Sequence, residues 1–247
     1  MAHPGAGFYG TDLAHIHDAG FGDFAREAGA GIVAMLAEAG IEDGLVVDLG
    51  CGTGILAERL LAAGYDVLGV DISADALAIA RRRAPAARFV EASAFGFVPP
   101  RCAAVTAVGE VLGYAADERS GRDALVALFD RVHAAMAPGG LFVFDLAAPG
   151  REPAPRRAWR EGPGWLVCNE AEELPERGEL RRRIVTFREA GGGWRRDDEL
   201  HVLRLHPAER VLADLAAAGF EADALGSYLP ADDAVPPGVV VYRSARI

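Results

Sequence analysis

The chain has 247 residues, 51% of them hydrophobic, and a formal net charge of -11 at pH 7. That length suits one large α/β domain with an insertion. No apolar run approaches the roughly 18 to 20 residues of a membrane span, and the acidic balance gives no attraction to phosphate backbones, so neither membrane nor nucleic acid is expected as a partner. The start, Met1-Ala2-His3-Pro4-Gly5, has neither a basic nor an apolar leader segment, and a cytoplasmic location is expected. Cys51, Cys102 and Cys168 lie far apart and form no C-x-x-C pair, so no disulfide framework, zinc site or other metal is indicated. Residues 8–18 precede a segment, 21–36, with helical periodicity that ends at Gly40. Beyond Gly44 an apolar run, 46–49, reads as a buried parallel strand, and the Ala/Leu-rich stretch 55–63 reads as a helix.

Between that strand and helix lies Asp48-Leu49-Gly50-Cys51-Gly52-Thr53-Gly54. Glycines serve a sharp turn where backbone approaches a ligand closely, and a helix N-terminus presents free N–H groups and partial positive charge to a polar ligand group. The dinucleotide pattern G-x-G-x-x-G fails because the sixth position from Gly50 is Ile55, and the phosphate-binding pattern ending in Gly-Lys fails because the chain has no lysine. A second strand, 66–71, ends in Asp71, placed to accept hydrogen bonds from ribose hydroxyls. This run resembles the glycine-rich motif of the class I S-adenosylmethionine-dependent methyltransferases. The resemblance implies an S-adenosylmethionine site with S-adenosylhomocysteine as product, lined by Asp48, Gly50, Cys51, Gly52, Asp71, Ile72, Ser93, Ala94, Phe95, Gly109 and Glu110. Where many family members carry an acid that bonds the adenine amino group, this chain has Ser93, whose hydroxyl would take that bond, with the Ala94 N–H on a ring nitrogen. The N-terminal segment is then expected to fold over the methionine end as a lid, making Tyr9, His15 and His17 candidates for contacting cofactor or substrate. His15 and His17, two apart on a helix, point in different directions.

Further along, Ser73 reads as the N-cap of a helix that stops before Pro85. Strands follow at 87–91 and 103–108, then a helix at 117–136, Pro138-Gly139-Gly140, and a fifth strand at 141–146. The fourth strand ends in Gly109-Glu110-Val111-Leu112-Gly113-Tyr114, which aims Glu110 at the reaction site and brings Tyr114 to the substrate. Glu110 would hold a cationic amine, accept a proton or favour the sulfonium, or else merely cap the next turn. Stretches 164–172, 179–187 and 194–205 alternate with period 2 between turn-forming separators, which predicts a three-stranded antiparallel meander inserted after the fifth strand. Its cavity-lining candidates are Trp165, Arg183, Trp194 and His201, and its other use is as a homodimer interface. His201 is a candidate base for a hydroxyl or amine, against a structural pairing with Glu199. A helix at 207–218, a strand from Gly219, a loop at 232–237 and a strand at 238–243 close the chain.

The fold expected is a Rossmann-like α/β architecture: a seven-stranded, mostly parallel sheet with helices on both faces, an N-terminal helical lid and the inserted β-meander. The divisions are 1–40 for the lid, 41–150 for the cofactor core, 151–205 for the substrate-covering insertion and 206–247 for the elements that complete the sheet. The activity implied is methyl transfer to a hydroxyl or amine of a small molecule. The rivals are a protein or nucleic acid methyltransferase, against which the absence of an Asn/Asp-Pro-Pro-aromatic motif at 109–112 argues, and a non-catalytic binder of the cofactor.

Overall fold

The computed structural model describes residues 9–229 and 235–247. Residues 1–8 of the expected lid and residues 230–234, which overlap the expected 232–237 loop, lie outside the described residues. Two helices come first, α1 (Thr11–Gly20) and α2 (Asp23–Glu38). The core then alternates strand and helix: β1 (Leu45–Leu49), α3 (Ile55–Ala62), β2 (Asp66–Asp71), α4 (Ala74–Arg83), β3 (Arg88–Glu91), β4 (Cys102–Ala107), α5 (Arg122–Ala135) and β5 (Met136–Ala147). An insertion follows, β6 (Arg156–Gly162), β7 (Trp165–Leu174), β8 (Glu179–Ala190) and β9 (Gly193–Arg204), before α6 (Ala208–Ala217), β10 (Phe220–Leu225) and β11 (Val239–Arg246).

The first sheet has seven strands in the order β10-β11-β5-β4-β1-β2-β3. Strand order reverses between β1 and β4, so their carboxyl ends diverge into a crevice. The antiparallel strand is β11, wedged between β5 and β10 rather than lying at the edge. Alternation along each strand feeds two apolar layers. Val47, Leu49, Phe142 and Phe144 face α5 and α6, whereas Val46, Val143 and Val241 face α2 and α3. Stacked rings of Phe142 and Phe144 on β5 and Tyr242 on β11 extend the first layer across two neighbouring strands, with centroids 4.4 and 4.9 Å apart. Each fully buried ring contributes roughly 1.5–3 kcal/mol of transfer free energy, which makes the sheet a rigid base for its loops.

The insertion forms a separate four-stranded antiparallel sheet, β6-β7-β8-β9, one strand more than the sequence pattern suggests. The additional strand, β6, is rich in arginine and exposed nearly throughout, so it lacks the apolar alternation that marks a strand in sequence. Among the described residues no helix is long and apolar enough to cross a membrane.

Candidate functional site

At the end of β1 the chain turns back on itself. Gly50 and Cys51 both donate to the carbonyl of Val70, at 2.6 and 3.1 Å, which fixes the turn beside the tip of β2. Gly50 and Gly52 have φ of 70° and 51°, in the left-handed region that favours glycine. A Cβ on Gly50 would lie 2.3 Å from Val111, whereas one on Gly52 would meet nothing and would project into open space. That space is a cleft of about 1120 Å³.

Asp71 stands at its wall. Gly52 N–H donates to Oδ2 and Ser73 N–H to Oδ1, both at 2.8 Å. Each carboxylate oxygen keeps acceptor capacity for a ligand hydroxyl. Burial raises the Asp71 pKa, and the backbone N–H groups of Ser73, Gly52 and Ile72 oppose that rise. Ser73 caps α4 by accepting from Ala76 N–H at 3.2 Å. Gly50, Gly52, Asp71, Ile72, Ser93, Ala94, Phe95 and Gly109 all line the cleft.

Asp48 and Cys51 do not line it. Asp48 is buried beneath the turn, where it accepts from Thr106 Oγ1 at 2.8 Å, and burial pushes its pKa up to about 7. The Cys51 side chain packs toward Gly69. Ser93 lines the cleft with a hydroxyl already committed: it donates to Asp117 and accepts from the N–H groups of Phe95 and Gly96 at 3.1 and 3.3 Å. With one hydrogen and two lone pairs it has no capacity left for an adenine amino group. The carboxylate of Asp117 lies in the cleft wall instead. Sequence reasoning missed it because it comes from the loop before α5, 24 residues away.

A second cavity of about 1390 Å³ opens between the core and the insertion. It shares Tyr9, His17, Phe21, Phe24, Gly109 and Tyr114 with the first cleft. The lid creates this common wall. On α1, Leu13 faces the second cavity, Ala14 the first, and His17 both, as expected for residues three and four apart on one helical face. His15 lies on another face, beside Arg188. Burial lowers the His17 pKa, so its imidazole is neutral at pH 7.

The lid is bolted to both layers. Tyr9 N–H and Gly10 N–H donate to Glu199 of β9 at 2.9 and 3.1 Å, Ser73 donates to Tyr9 O, Asp12 pairs with Arg188 and Arg195, and Asp18 pairs with Arg83. Tyr9 has φ of 53° and Glu110 has φ of 60°; among the described residues these are the non-glycine positions with positive φ, and both lie at the second cavity. Backbone strain of this kind concentrates at functional sites. Glu110 is held by Asp145, whose carboxylate accepts from the N–H groups of Gly109, at 2.8 Å, and Glu110, and from the Tyr228 hydroxyl. Burial pushes Asp145 up to about 6. An acid inside the apolar run Phe142-Val143-Phe144-Asp145-Leu146 is the sequence signal for it.

The Glu110 side chain lines the second cavity, not the first cleft. Its two oxygens bind Arg151 Nε at 2.9 Å and an Arg182 terminal nitrogen at 2.8 Å, so it neither caps the following turn nor stands free for an amine. His201 is fully buried and lines neither cavity; its Nε2 lies 2.8 Å from Glu199, and its ring packs on Tyr9 and Tyr114. Glu199 is its neighbour two residues away on the same strand rather than a partner across strands. Tyr114 lines both cavities and hydrogen-bonds Tyr9 and Arg182. Trp165 is buried against Ile16 under the lid and lines neither cavity; Trp194 is exposed; Arg183 pairs with Asp198 on the exposed face. The inward neighbour is Arg182, so the sequence assignment at this point is out by one residue, which in a strand means the opposite face.

The fold and the glycine cradle agree with the comparisons to known proteins. Residues 46–140 match the model of a methyltransferase domain, which supports the reading of the chain as a class I S-adenosylmethionine-dependent methyltransferase. It is 37% identical over 115 residues to a trans-aconitate 2-methyltransferase of Paracidovorax citrulli, covering 45% of this chain and 42% of that one. It is 32% identical over 142 residues to a dTDP-3-amino-3,6-dideoxy-alpha-D-glucopyranose N,N-dimethyltransferase of Streptomyces fradiae, covering 56% and 54%. These alignments span about half of the curated relatives' lengths. The sugar N-methyltransferase KedS8 of Streptoalloteichus sp. superposes over 100% of this chain and 98% of its own, with a TM-score of 0.76 and 25% identity. An S-adenosylmethionine-dependent methyltransferase of Clostridium acetobutylicum superposes over 95% and 97%, with a TM-score of 0.79 at 19% identity.

Proposed function

We propose that this chain methylates a hydroxyl or amine of a small molecule, with S-adenosylmethionine in the cleft beside Gly52 and the acceptor in the cavity under the insertion. The observation that carries this reading is the wall common to both cavities, formed by Tyr9, His17, Phe21, Phe24, Gly109 and Tyr114. The cradle suits the cofactor: Gly52 and Gly109 leave open space where a Cβ would stand, and Asp71 keeps acceptor capacity for both ribose hydroxyls. Asp117 takes the adenine amino group in place of the acid absent at position 93. When bound, the cofactor supplies an activated methyl on a sulfonium.

The protein's own part is alignment, exclusion of water and removal of a proton. Tyr9 and the lid close over the junction, fixed by Glu199 and Ser73. Burial keeps the Tyr9 and Tyr114 hydroxyls protonated, so they orient rather than accept protons. The neutral imidazole of His17 is the group at the junction able to take one. His201 acts through Tyr9 and Tyr114 as a positioning residue, and Glu110 shapes the acceptor cavity by ordering Arg151 and Arg182.

The test is methyl transfer from labelled S-adenosylmethionine to panels of small hydroxyl compounds, small amines, peptides and tRNA. Transfer to a small molecule supports the reading; transfer only to peptide or tRNA, or cofactor binding with no acceptor in any panel, overturns it. With an acceptor in hand, His17→Phe lowers kcat by about 100-fold or more while S-adenosylhomocysteine affinity stays within a few-fold. An unchanged kcat would remove His17 as the base.

A further inference from the structure

Resting on the reading above, we propose that the acceptor carries an anionic group, a carboxylate or a phosphate, held on the inner face of the insertion by Arg156 and Arg160 with Asn169 beside them.

Register places these residues. Strands β6, β7 and β8 pair so that Arg156, Ala171 and Arg182 form one cross-strand row, Ala158, Asn169 and Ile184 the next, and Arg160, Val167 and Thr186 a third. Alternate residues of a strand share a face, and residues of all three rows line the acceptor cavity. Arg156 and Arg160 therefore flank Ala158 on β6, and the small side chain between them leaves space over the sheet.

The charge of this cavity runs against that of the chain. In a protein with a formal net charge of -11, the cavity is lined by Arg151, Arg156, Arg160 and Arg182 and by a single acid, Glu110. Glu110 is committed to Arg151 and Arg182, at the end near Tyr114. Glu152 grips Arg156 through Nε and a terminal nitrogen, leaving that side chain 52% exposed. Arg160 has no acid partner among the described residues; its guanidinium lies over the Phe21 ring, 5.0 Å from the centroid. Counting Glu152 with Glu110, positive charge remains in excess, shared between the Arg151 and Arg182 pair and Arg160 on β6.

A neutral amide completes the arrangement. Asn169 lines the cavity, and its Oδ1 is buried with no hydrogen-bond partner among the described residues. Guanidinium forks match the oxygens of carboxylate and phosphate, and stacking on Phe21 pre-orients that of Arg160. Phe21 belongs to the wall common to both cavities, so an anion at Arg160 leaves the rest of the acceptor pointing at His17.

The test is calorimetry on the protein saturated with S-adenosylhomocysteine, titrated at constant ionic strength with citrate, with inorganic pyrophosphate and with neutral xylitol. Binding of citrate assigns the carboxylate source and binding of pyrophosphate the phosphate source. Arg156→Gln and Arg160→Gln should each weaken the anion by about tenfold or more, and Arg160→Lys, which keeps charge but not the fork, by less. Arg157→Gln, on the exposed face and paired with Glu170, should bind like the parent. The proposal is overturned if neither anion binds more tightly than xylitol, or if the Arg156 and Arg160 variants match Arg157→Gln. Failure of the unmodified protein to bind S-adenosylhomocysteine, read before any anion is added, instead overturns the methyl-transfer reading and this proposal with it.

Discussion

The cleft proposed for the cofactor and the cavity proposed for the acceptor meet along one wall yet are made differently. The first is shaped at its floor by backbone: glycine turns at 50–54 and 109, N–H groups aimed at Asp71, and a strand-order reversal that opens the crevice. The second is made of side chains, many of them on a sheet of its own, and its charged members are four arginines and one acid, Glu110. A site made of backbone tolerates change almost everywhere except where a side chain would intrude. One made of side chains can be altered residue by residue while the fold survives.

That difference is broken most sharply at Gly52. Gly52→Val forces a β-branched residue into φ of 51° and projects methyl groups into the open cleft. S-adenosylhomocysteine affinity should fall by more than about 100-fold, with circular dichroism unchanged; retained affinity would place the cofactor elsewhere. The matching change in the other cavity is Glu110→Gln, which strips the shared counter-charge from Arg151 and Arg182, side chains 12% and 13% exposed. Breaking a buried pair this way costs about 3 kcal/mol, to be read by urea denaturation, whereas cofactor affinity should move by no more than a few-fold. A large loss of affinity with little loss of stability would mean that Glu110 serves the cofactor after all.

Beneath the backbone-made cleft, Asp48 supplies a pH signature. Burial pushes its pKa up to about 7, and the nearby Asp71 charge adds to this while the Thr106 hydrogen bond opposes it. Between the ordinary carboxylate range and pH 7 the folded protein holds a proton that the unfolded chain has released. Stability is therefore fully present at acid pH and falls as pH rises through that window. Asp145, pushed up to about 6, adds a share of the same sign. Asp48→Asn keeps an acceptor for Thr106 and removes the Asp48 share, so its stability should decline less from pH 5 to pH 8, by roughly 2 kcal/mol. Parallel stability curves for parent and variant would remove the proton from Asp48.

The same difference explains what was legible in the sequence. Glycine spacing, the acid at the tip of β2 and the cap at Ser73 are local patterns, and each names its own position. The acceptor cavity depends on which face of a strand a residue occupies, and alternation gives two faces without saying which is inner. Alternation therefore points to Arg183 where Arg182 faces in, and to Trp165 where the lid claims the ring. Strand β6 had no apolar alternation to betray it. His201 looked available because a sequence cannot show that Tyr9 and Tyr114 cover it. Asp117 was missed for a different reason. It belongs to the cofactor-side cleft, but only a contact across 24 residues brings it there.

Asp117 is thus the place where the backbone-made cleft borrows a side chain, and it gives the smallest expected effect. The Ser93 hydroxyl donates to Asp117 Oδ2, and Arg119 N–H donates to Oδ1 at 2.9 Å, so the carboxylate is oriented before any ligand arrives. Each oxygen retains a lone pair for an adenine amino group. In Asp117→Asn the charge is lost while size and the Ser93 contact are kept. A charge-assisted bond reduced to a neutral one should weaken S-adenosylhomocysteine by about tenfold. The analogue bearing inosine in place of adenosine, which offers a carbonyl instead of the amino group, discriminates the cause. It should bind the parent poorly and the variant relatively better, because the asparagine amide can present an N–H to that carbonyl. Equal losses for both nucleosides would reduce Asp117 to a support for the Ser93 turn, and the cleft would then be backbone throughout its adenine end.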